Sequence, residues 1–525
     1  MVPTGYYICF FLLLAGCSTQ APAPLPPTSN NTISIRALEN PSNLDPAYAT
    51  RALDGHLVCL IHAGLVRCAS NGSVIGELAG HWEALENDRN GLRFYLHPGL
   101  YFPTGRPFTS EDVVFSFSRL CRKETGSPHA WVFQDVLGYR EVHGGTAENL
   151  FGVRTCGDDC VEIELVEPSA TLLARLTMPA ARIVDRETVV TSGKGYGRSP
   201  KALGAWEIEE RVDDSHITLR PNRNYPWRNR YLEHLKFIIS GQDFSATALF
   251  ETGRLHILQP LPLTQAGKWK RSEFWVKQIL RIQELNIFYL GFNCHRPPFD
   301  RVEIRRALAS VIHPDAFREA LFADHATASY GPIPKGMLGY EEKMEDRSSK
   351  VSSEDLEQIK GLDLELWYVE SYSAITLAME AIQADLAKAG VHCHLLKTDA
   401  ATYSSWRREG KFDLFFGNWW ADYPDPDNFL SPLFLSDSSS NMTRLSDRET
   451  DRLILEAGKA NNAGVREQLY KQAVQRIREL APVVFLWHRN TEILKQPWVK
   501  GFEPAPLFHG TLFLDLQVNE NHSVR

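Results

Sequence analysis

The chain has 525 residues, 43% apolar and 23% charged, which excludes a disordered or collagen-like polymer and leaves room for roughly three to four domain-sized units. Its 56 basic and 64 acidic residues give a net charge of −8 without a long block of either sign, so no nucleic-acid-binding face is expected. Twelve Trp, 17 Tyr and 27 Phe are enough to build cores and still line a cleft.

Residues 1–16 hold no charged side chain, and residues 8–14 are an unbroken apolar run. At about 1.5 Å per residue this stretch cannot cross about 30 Å of hydrocarbon, but it suits the apolar region of an export signal. The segment Leu14-Ala15-Gly16-Cys17-Ser18 is similar to a bacterial lipoprotein processing site. That likeness implies cleavage before Cys17 and acylation of it, and more than one acyl chain holds a protein stably on a bilayer. An ordinary signal peptide with an incidental Cys17 is the alternative. Residues 18–31, with four prolines and no charge, read as an extended tether that holds a folded body off a membrane.

Thr32-Ile33-Ser34-Ile35-Arg36-Ala37 alternates with the period of a half-buried strand, as do residues 161–165 and 216–220. Thr109 with Asp112 forms an acidic variant of a capping box, opening a helix whose apolar face is Val113, Val114, Phe117 and Leu120. Asp300 with Glu303 and Ser446 with Glu449 mark two further helix starts. Residues 362–396 read as strand, helix and strand: the helix presents Ile375, Met379, Ile382 and Leu386 and stops at Gly390. This βαβ unit implies a parallel strand pair and an α/β architecture.

Setting aside Cys9 and Cys17, seven cysteines remain, an odd count that leaves at least one thiol unpaired within the chain. Cys156-Gly157-Asp158-Asp159-Cys160 joins two alternating strands, so a disulfide closing that turn is expected ahead of a metal site; two free buried thiols are the other option. His392 and His394 share one face of a strand without a third ligand, so no metal site is expected. Motifs of hydrolases, phosphate loops and dinucleotide folds are missing, which argues against an enzyme without excluding a scattered triad.

Residues 418–430, Asn-Trp-Trp-Ala-Asp-Tyr-Pro-Asp-Pro-Asp-Asn-Phe-Leu, place Asp422, Asp425 and Asp427 among aromatics and prolines. A carboxylate beside indole rings receives an ammonium group well. Calcium is a second reading, although the Gly and terminal Glu of a hand-type loop are missing, and a solvated acidic turn is a third.

At this loop the chain resembles the family 5 solute-binding proteins of ABC importers, the oligopeptide- and dipeptide-binding group. Four blocks carry the likeness in the family's order: residues 96–116 (Leu-His-Pro-Gly-Leu-Tyr-Phe-Pro-Thr-Gly-Arg-Pro-Phe-Thr-Ser-Glu-Asp-Val-Val-Phe-Ser), residues 249–257, residues 290–308 and the acidic loop. Leu44-Asp45-Pro46 agrees with them. Ala202-Leu203-Gly204-Ala205-Trp206 stands where the family has Gly-Thr-Gly-Pro-Tyr, and the basic residues that meet a peptide's C-terminus have no evident counterpart.

The resemblance implies an α/β, two-lobed periplasmic-binding-protein fold with an additional domain inserted in the first lobe. Lobe one is expected over residues 32–68, 175–280 and 490–525, the extra domain over 69–174, and lobe two over 281–489. It implies a monomeric receptor without cofactor, which captures short peptides in the cell envelope and hands them to an inner-membrane permease. By residue-wise likeness, Asp422 accepts the peptide's ammonium, and the backbones of Asn418 and Trp420 pair with the peptide. Trp419, Trp420 and Tyr423 flank the charge, and Thr50 to Ala52 face it from lobe one. A non-peptide solute (metal complex, haem or sugar) is the alternative on the same fold; an envelope hydrolase is the reading from another class.

Overall fold

The computed structural model describes residues 21–26, 31–87, 89–342, 351–370 and 373–519; Cys17 and the leader before it lie outside them. Among the described residues no helix is long and apolar enough to cross a membrane.

The strand Val483–Lys495 organises the molecule. Its first five residues, apolar and fully buried, pair antiparallel with Asn286–Phe292. Its middle meets Ala326–Ala328. From Asn490 onward it pairs with Ile279–Gln283 and then with Ile257–Leu258. A strand covered on both faces reads as a nearly continuous apolar run. Here the run is broken by His488-Arg489-Asn490-Thr491-Glu492, at the point where the strand leaves one core for the other. Arg489 apart, these polar groups are satisfied locally: Thr491 donates its hydroxyl to Glu284 (2.6 Å), and Asn490 donates its amide to the Asp324 carbonyl (2.9 Å). Glu492 gathers Lys270 (2.9 Å), His325 (3.0 Å) and Arg281 (3.0 Å).

On one side of this crossing, Thr32–Ala37 runs parallel to His234–Ile239, which continues antiparallel into His216–Pro221 and Trp206–Val212. The helix Ala52–Ile61 packs here with every residue from Leu53 to Ile61 buried. A separate four-stranded antiparallel sheet, Ala79–Ala84, Gly91–Leu96, Cys160–Glu164 and Val153–Gly157, shares the same core through Phe94, Val161 and Ile163. On the other side, Asp363–Tyr368 and His392–Lys397 are parallel, with the helix Ser373–Lys388 between them, as the periodicity predicts. The strand Leu414–Trp420 joins them to Asn286–Phe292. The result is two lobes around separate cores, one including Ile33 and Leu57, the other Leu366 and Met379.

Helix starts follow the sequence unevenly. Thr109 and Asp112 form the expected capping box before Ser110–Cys121. The helix after Ser446 is capped one residue later, by Asp447 accepting from the Thr450 N–H (2.9 Å). Val302–Val311 starts after Arg301 without a side-chain cap, so the expected Asp300 start is not used.

The tether departs from its expected role. Pro22 and Leu25 offer their carbonyls to the indole N–H groups of Trp275 (2.6 Å) and Trp498 (3.2 Å), and Ala21 packs on the core containing Trp269. Residues 21–26 therefore lie along the first lobe instead of standing away from it.

Cys156 and Cys160 are joined as a disulfide across a Gly-Asp-Asp turn, with Cα atoms 5.0 Å apart. The turn's carbonyls have a use: those of Asp158 and Gly157 accept from the backbone N–H (2.8 Å) and hydroxyl (2.6 Å) of Ser110, the first residue of a helix. A thiol reagent on unreduced, denatured mature protein should label Cys59, Cys68, Cys121, Cys294 and Cys393 only. Label on both Cys156 and Cys160 before reductant is added would rule out the bond.

Candidate functional site

The strand Leu414–Trp420 carries the site because one of its edges is left open. On one side it pairs residue for residue with Asn286–Phe292, from Leu414 against Phe292 to Trp420 against Asn286. On the other side Asp363–Tyr368 reaches only Leu414 and Phe415. The Tyr403 hydroxyl then closes the Phe416 carbonyl (2.5 Å), and from Gly417 onward no described strand pairs with that edge. The Ala421 N–H points the opposite way, to the Leu285 carbonyl (2.8 Å). Since backbone groups alternate sides along a strand, those of Asn418 and Trp420 face the open edge. Gly417 lets the strand approach its neighbour closely: a Cβ there would meet the Tyr289 ring at 2.6 Å.

The three carboxylates of the following loop have different fates. Asp425 is buried and held by two guanidinium bonds from Arg466 (2.9 and 2.7 Å). Asp427 accepts from the hydroxyls of Tyr423 (2.7 Å) and Ser431 (2.5 Å). Asp422 makes no ion pair with any described residue. Its backbone is fixed instead: the Asn428 side-chain oxygen accepts from the Asp422 N–H (2.8 Å) and from the Trp419 indole (3.4 Å). Protein atoms crowd the Asp422 side chain on most sides, and this desolvation raises its pKa from 3.8 to about 6 against a smaller opposing effect of Asn428. The side chain is nonetheless exposed, and water reaching it from the open side tempers the shift without changing its direction.

The aromatics divide as well. Trp420 is 39% exposed, with the Phe288 ring edge-on and the Arg489 guanidinium carbon 5.6 Å from its ring centroid. Trp419 is half-buried against the core of Phe415 and Phe429. Tyr423 departs from the expected ligand contact. It is only 4% exposed, sits in the first lobe's core and meets the Trp131 ring at 6.4 Å, so in this form it joins the lobes instead of lining an open cleft. The same seam holds the Ala170 N–H on the Gly458 carbonyl (2.8 Å) and an ion pair of Glu167 with Lys459.

Thr50 and Ala52 are exposed at the start of the first-lobe helix, and no hydrogen bond joins them to the acidic loop. The chain just before them is clipped to the Trp131 segment: Ser127 donates its hydroxyl to the Ala47 carbonyl (2.6 Å), and the His129 ring bonds the Ala49 carbonyl (2.9 Å). These bonds join the chain before Thr50 to the segment whose Trp131 ring meets Tyr423. Trp131, Asn428 and Arg489 were not singled out in the sequence. A cavity of about 390 Å³ also opens between the lobes, lined by Gly72, Pro506, Met337 and Pro424 among others, but neither Asp422 nor Trp420 lines it.

Known proteins match this chain along most of its length. The model for bacterial extracellular solute-binding proteins, family 5 Middle, covers residues 73–441. The periplasmic murein peptide-binding protein MppA of Escherichia coli K12 is 25% identical over 518 residues, 94% of this chain and 95% of that protein. Heme-binding protein A of Haemophilus influenzae is 28% identical over 459 residues, 83% of each chain. The dipeptide-binding protein of Escherichia coli K12 is 26% identical over 457 residues, 83% of this chain and 84% of that one. Among solved structures, Escherichia coli MppA superposes with a TM-score of 0.78 at 22% identity, covering 94% of this chain and 99% of that one. Haemophilus influenzae OppA in complex with RPPGFSPFR gives 0.77 at 21% identity, covering 94% and 100%. These likenesses establish the two-lobed binding-protein fold.

The two carboxylates should respond oppositely to neutralising substitutions. Arg466→Met strands buried Asp425 and should lower unfolding stability by about 3–5 kcal/mol, read from urea midpoints. Asp422 has a folded pKa above its ordinary one, so its protonated form favours the folded state, and that advantage is lost as pH rises through about 6. Asp422→Asn should therefore leave the midpoint at pH 7.5 unchanged or raised. A large fall would mean that Asp422 has a structural partner.

Proposed function

We propose that this chain, which belongs to the family 5 bacterial extracellular solute-binding proteins, captures short peptides by their free amino end and delivers them to a membrane permease. The observation that carries the reading is Asp422, an acidic side chain without an ion-pair partner among the described residues, two residues beyond an open strand edge. An extended peptide added to that edge gains main-chain hydrogen bonds from Asn418 and Trp420, a mode that tolerates varied side chains. Its ammonium meets Asp422, and Trp419 and Trp420 reduce water around the pair. Thr50 and Ala52 meet the same ligand from lobe one when the lobes close about the crossing strands. Closure is driven by the ligand's greater affinity for the closed form. Residues 281–489 form the second lobe in this reading, and residues 69–174 the extra domain of the first.

Relatives named for murein peptide and dipeptide binding support a peptide. A haem-binding relative of comparable identity supports the second reading, a non-peptide solute on the same fold, and mass spectrometry of ligand co-purified under native conditions separates the two. The chain is placed in the cell envelope and held there by acylated Cys17. Cys17→Ala should accumulate unprocessed precursor; a normally cleaved, soluble product would defeat the lipoprotein reading.

Calorimetry tests the ammonium site. Acetylating a peptide's amino end should weaken binding about 100-fold, equivalent to about 2.7 kcal/mol. Because Asp422 must be ionised and its pKa is raised by desolvation, affinity should already fall between neutral pH and pH 5, where an ordinary aspartate would stay charged. Equal affinity for free and acetylated peptides, with no loss at pH 5, would remove Asp422 from the site.

A further inference from the structure

We propose that Arg489 is a second anchor for the ligand, selecting peptides that carry a carboxylate on their first residue; the inference rests on the peptide-capture reading above. Arg489 lies where the long strand Val483–Lys495 passes between the lobes. Its backbone N–H donates to the Asn286 side-chain oxygen (2.7 Å), and its carbonyl accepts from the Asn286 amide (3.1 Å). Asn286 is in turn the strand partner of Trp420. Arg489, Asn286 and Trp420 thus form a row across three adjacent strands, and the guanidinium lies over the Trp420 ring.

Nothing among the described residues satisfies that guanidinium with a charge. Among the described residues no carboxylate lies within 4 Å of it, and none accepts a hydrogen bond from its side-chain nitrogens. Other arginines near the crossing are saturated: Arg281 binds Glu492 (3.0 Å) and Asp324 (2.8 Å), and Arg466 binds Asp425. Glu284 is close enough to feel Arg489, but it is half-buried and accepts the Thr491 hydroxyl instead.

A half-buried guanidinium with free donors fits a carboxylate in two parallel bonds. Asp422 is two residues from Trp420, at most about 7 Å along an extended chain. A carboxylate and a guanidinium, each without an ion-pair partner among the described residues, are thus tied to the same exposed indole, one by two residues of chain and the other by its ring contact. The matching ligand bears an ammonium and a carboxylate within a few ångströms of each other, as a peptide beginning with Glu does. A neutral ligand would leave the Arg489 donors unmet once water is excluded.

Calorimetry with Glu-Ala-Ala and Gln-Ala-Ala tests this on the full mature chain. The wild type should bind Glu-Ala-Ala roughly tenfold more tightly, the scale of a charge-assisted hydrogen bond. Arg489→Gln should bring the ratio to about one, and Arg489→Lys should keep part of the preference. Equal affinities in the wild type overturn the inference, even where a variant folds poorly. A preference that survives Arg489→Gln also overturns it, and shows that Arg489 merely props Trp420. If neither peptide binds while the chain is folded, peptide capture itself fails and this inference falls with it.

Discussion

Two hydrophobic cores share one strand. Val483–Lys495 must complete the backbone hydrogen bonds of both lobes, so it cannot be replaced by a loose linker without breaking two sheets. Its apolar ends belong to the cores, while its middle crosses a region that neither core covers. The fully buried polar residues there, His488, Asn490, Thr491 and Glu492, each need a partner and have one, whereas Arg489 is only half-buried. Glu492 is the extreme case: burial works to raise its pKa, yet bonds from His325, Lys270 and Arg281 hold it down at about 2. Lys270 comes from the first lobe and His325 from the second, so the cluster ties the crossing to both bodies.

The site uses the opposite arrangement. Within six residues the loop satisfies Asp425 and Asp427 from its own surroundings and leaves Asp422 unmatched. Proteins rarely leave a crowded carboxylate without a partner unless something else supplies it. The neighbouring strand edge is unmatched in the same sense, with backbone groups that have no partner strand. Charge and main chain are therefore both held ready in one place by rigid elements: a strand fixed on one side and a loop pinned by Asn428 and Arg466.

The sequence revealed what is local. Alternation located the strand Thr32–Ala37, and a three-residue spacing located the cap at Thr109, because both depend on near neighbours. The cap at Asp447 was missed by one position, since Ser446 and Asp447 are both capable of the role and only the approach of Thr450 decides. The fates of the three loop carboxylates could not be read in this way. Arg466 is 41 residues beyond Asp425, and Trp131 reaches Tyr423 from another part of the chain, so composition alone left all three acids equivalent. The open strand edge was equally hidden, because it depends on where Asp363–Tyr368 stops pairing.

The docked Pro-rich segment has a mechanical consequence. Two indole N–H groups, from Trp275 and Trp498, fasten Pro22 and Leu25 to the first lobe. From Ala21 back to position 17 there are only four peptide steps, a reach of about 14 Å at full extension. An attachment at position 17 would thereby be leashed to the first lobe at short range. With Cys17 acylated as proposed, that lobe is the one held at the membrane. In the proposed closure it is then the second lobe, with its acidic loop, that moves.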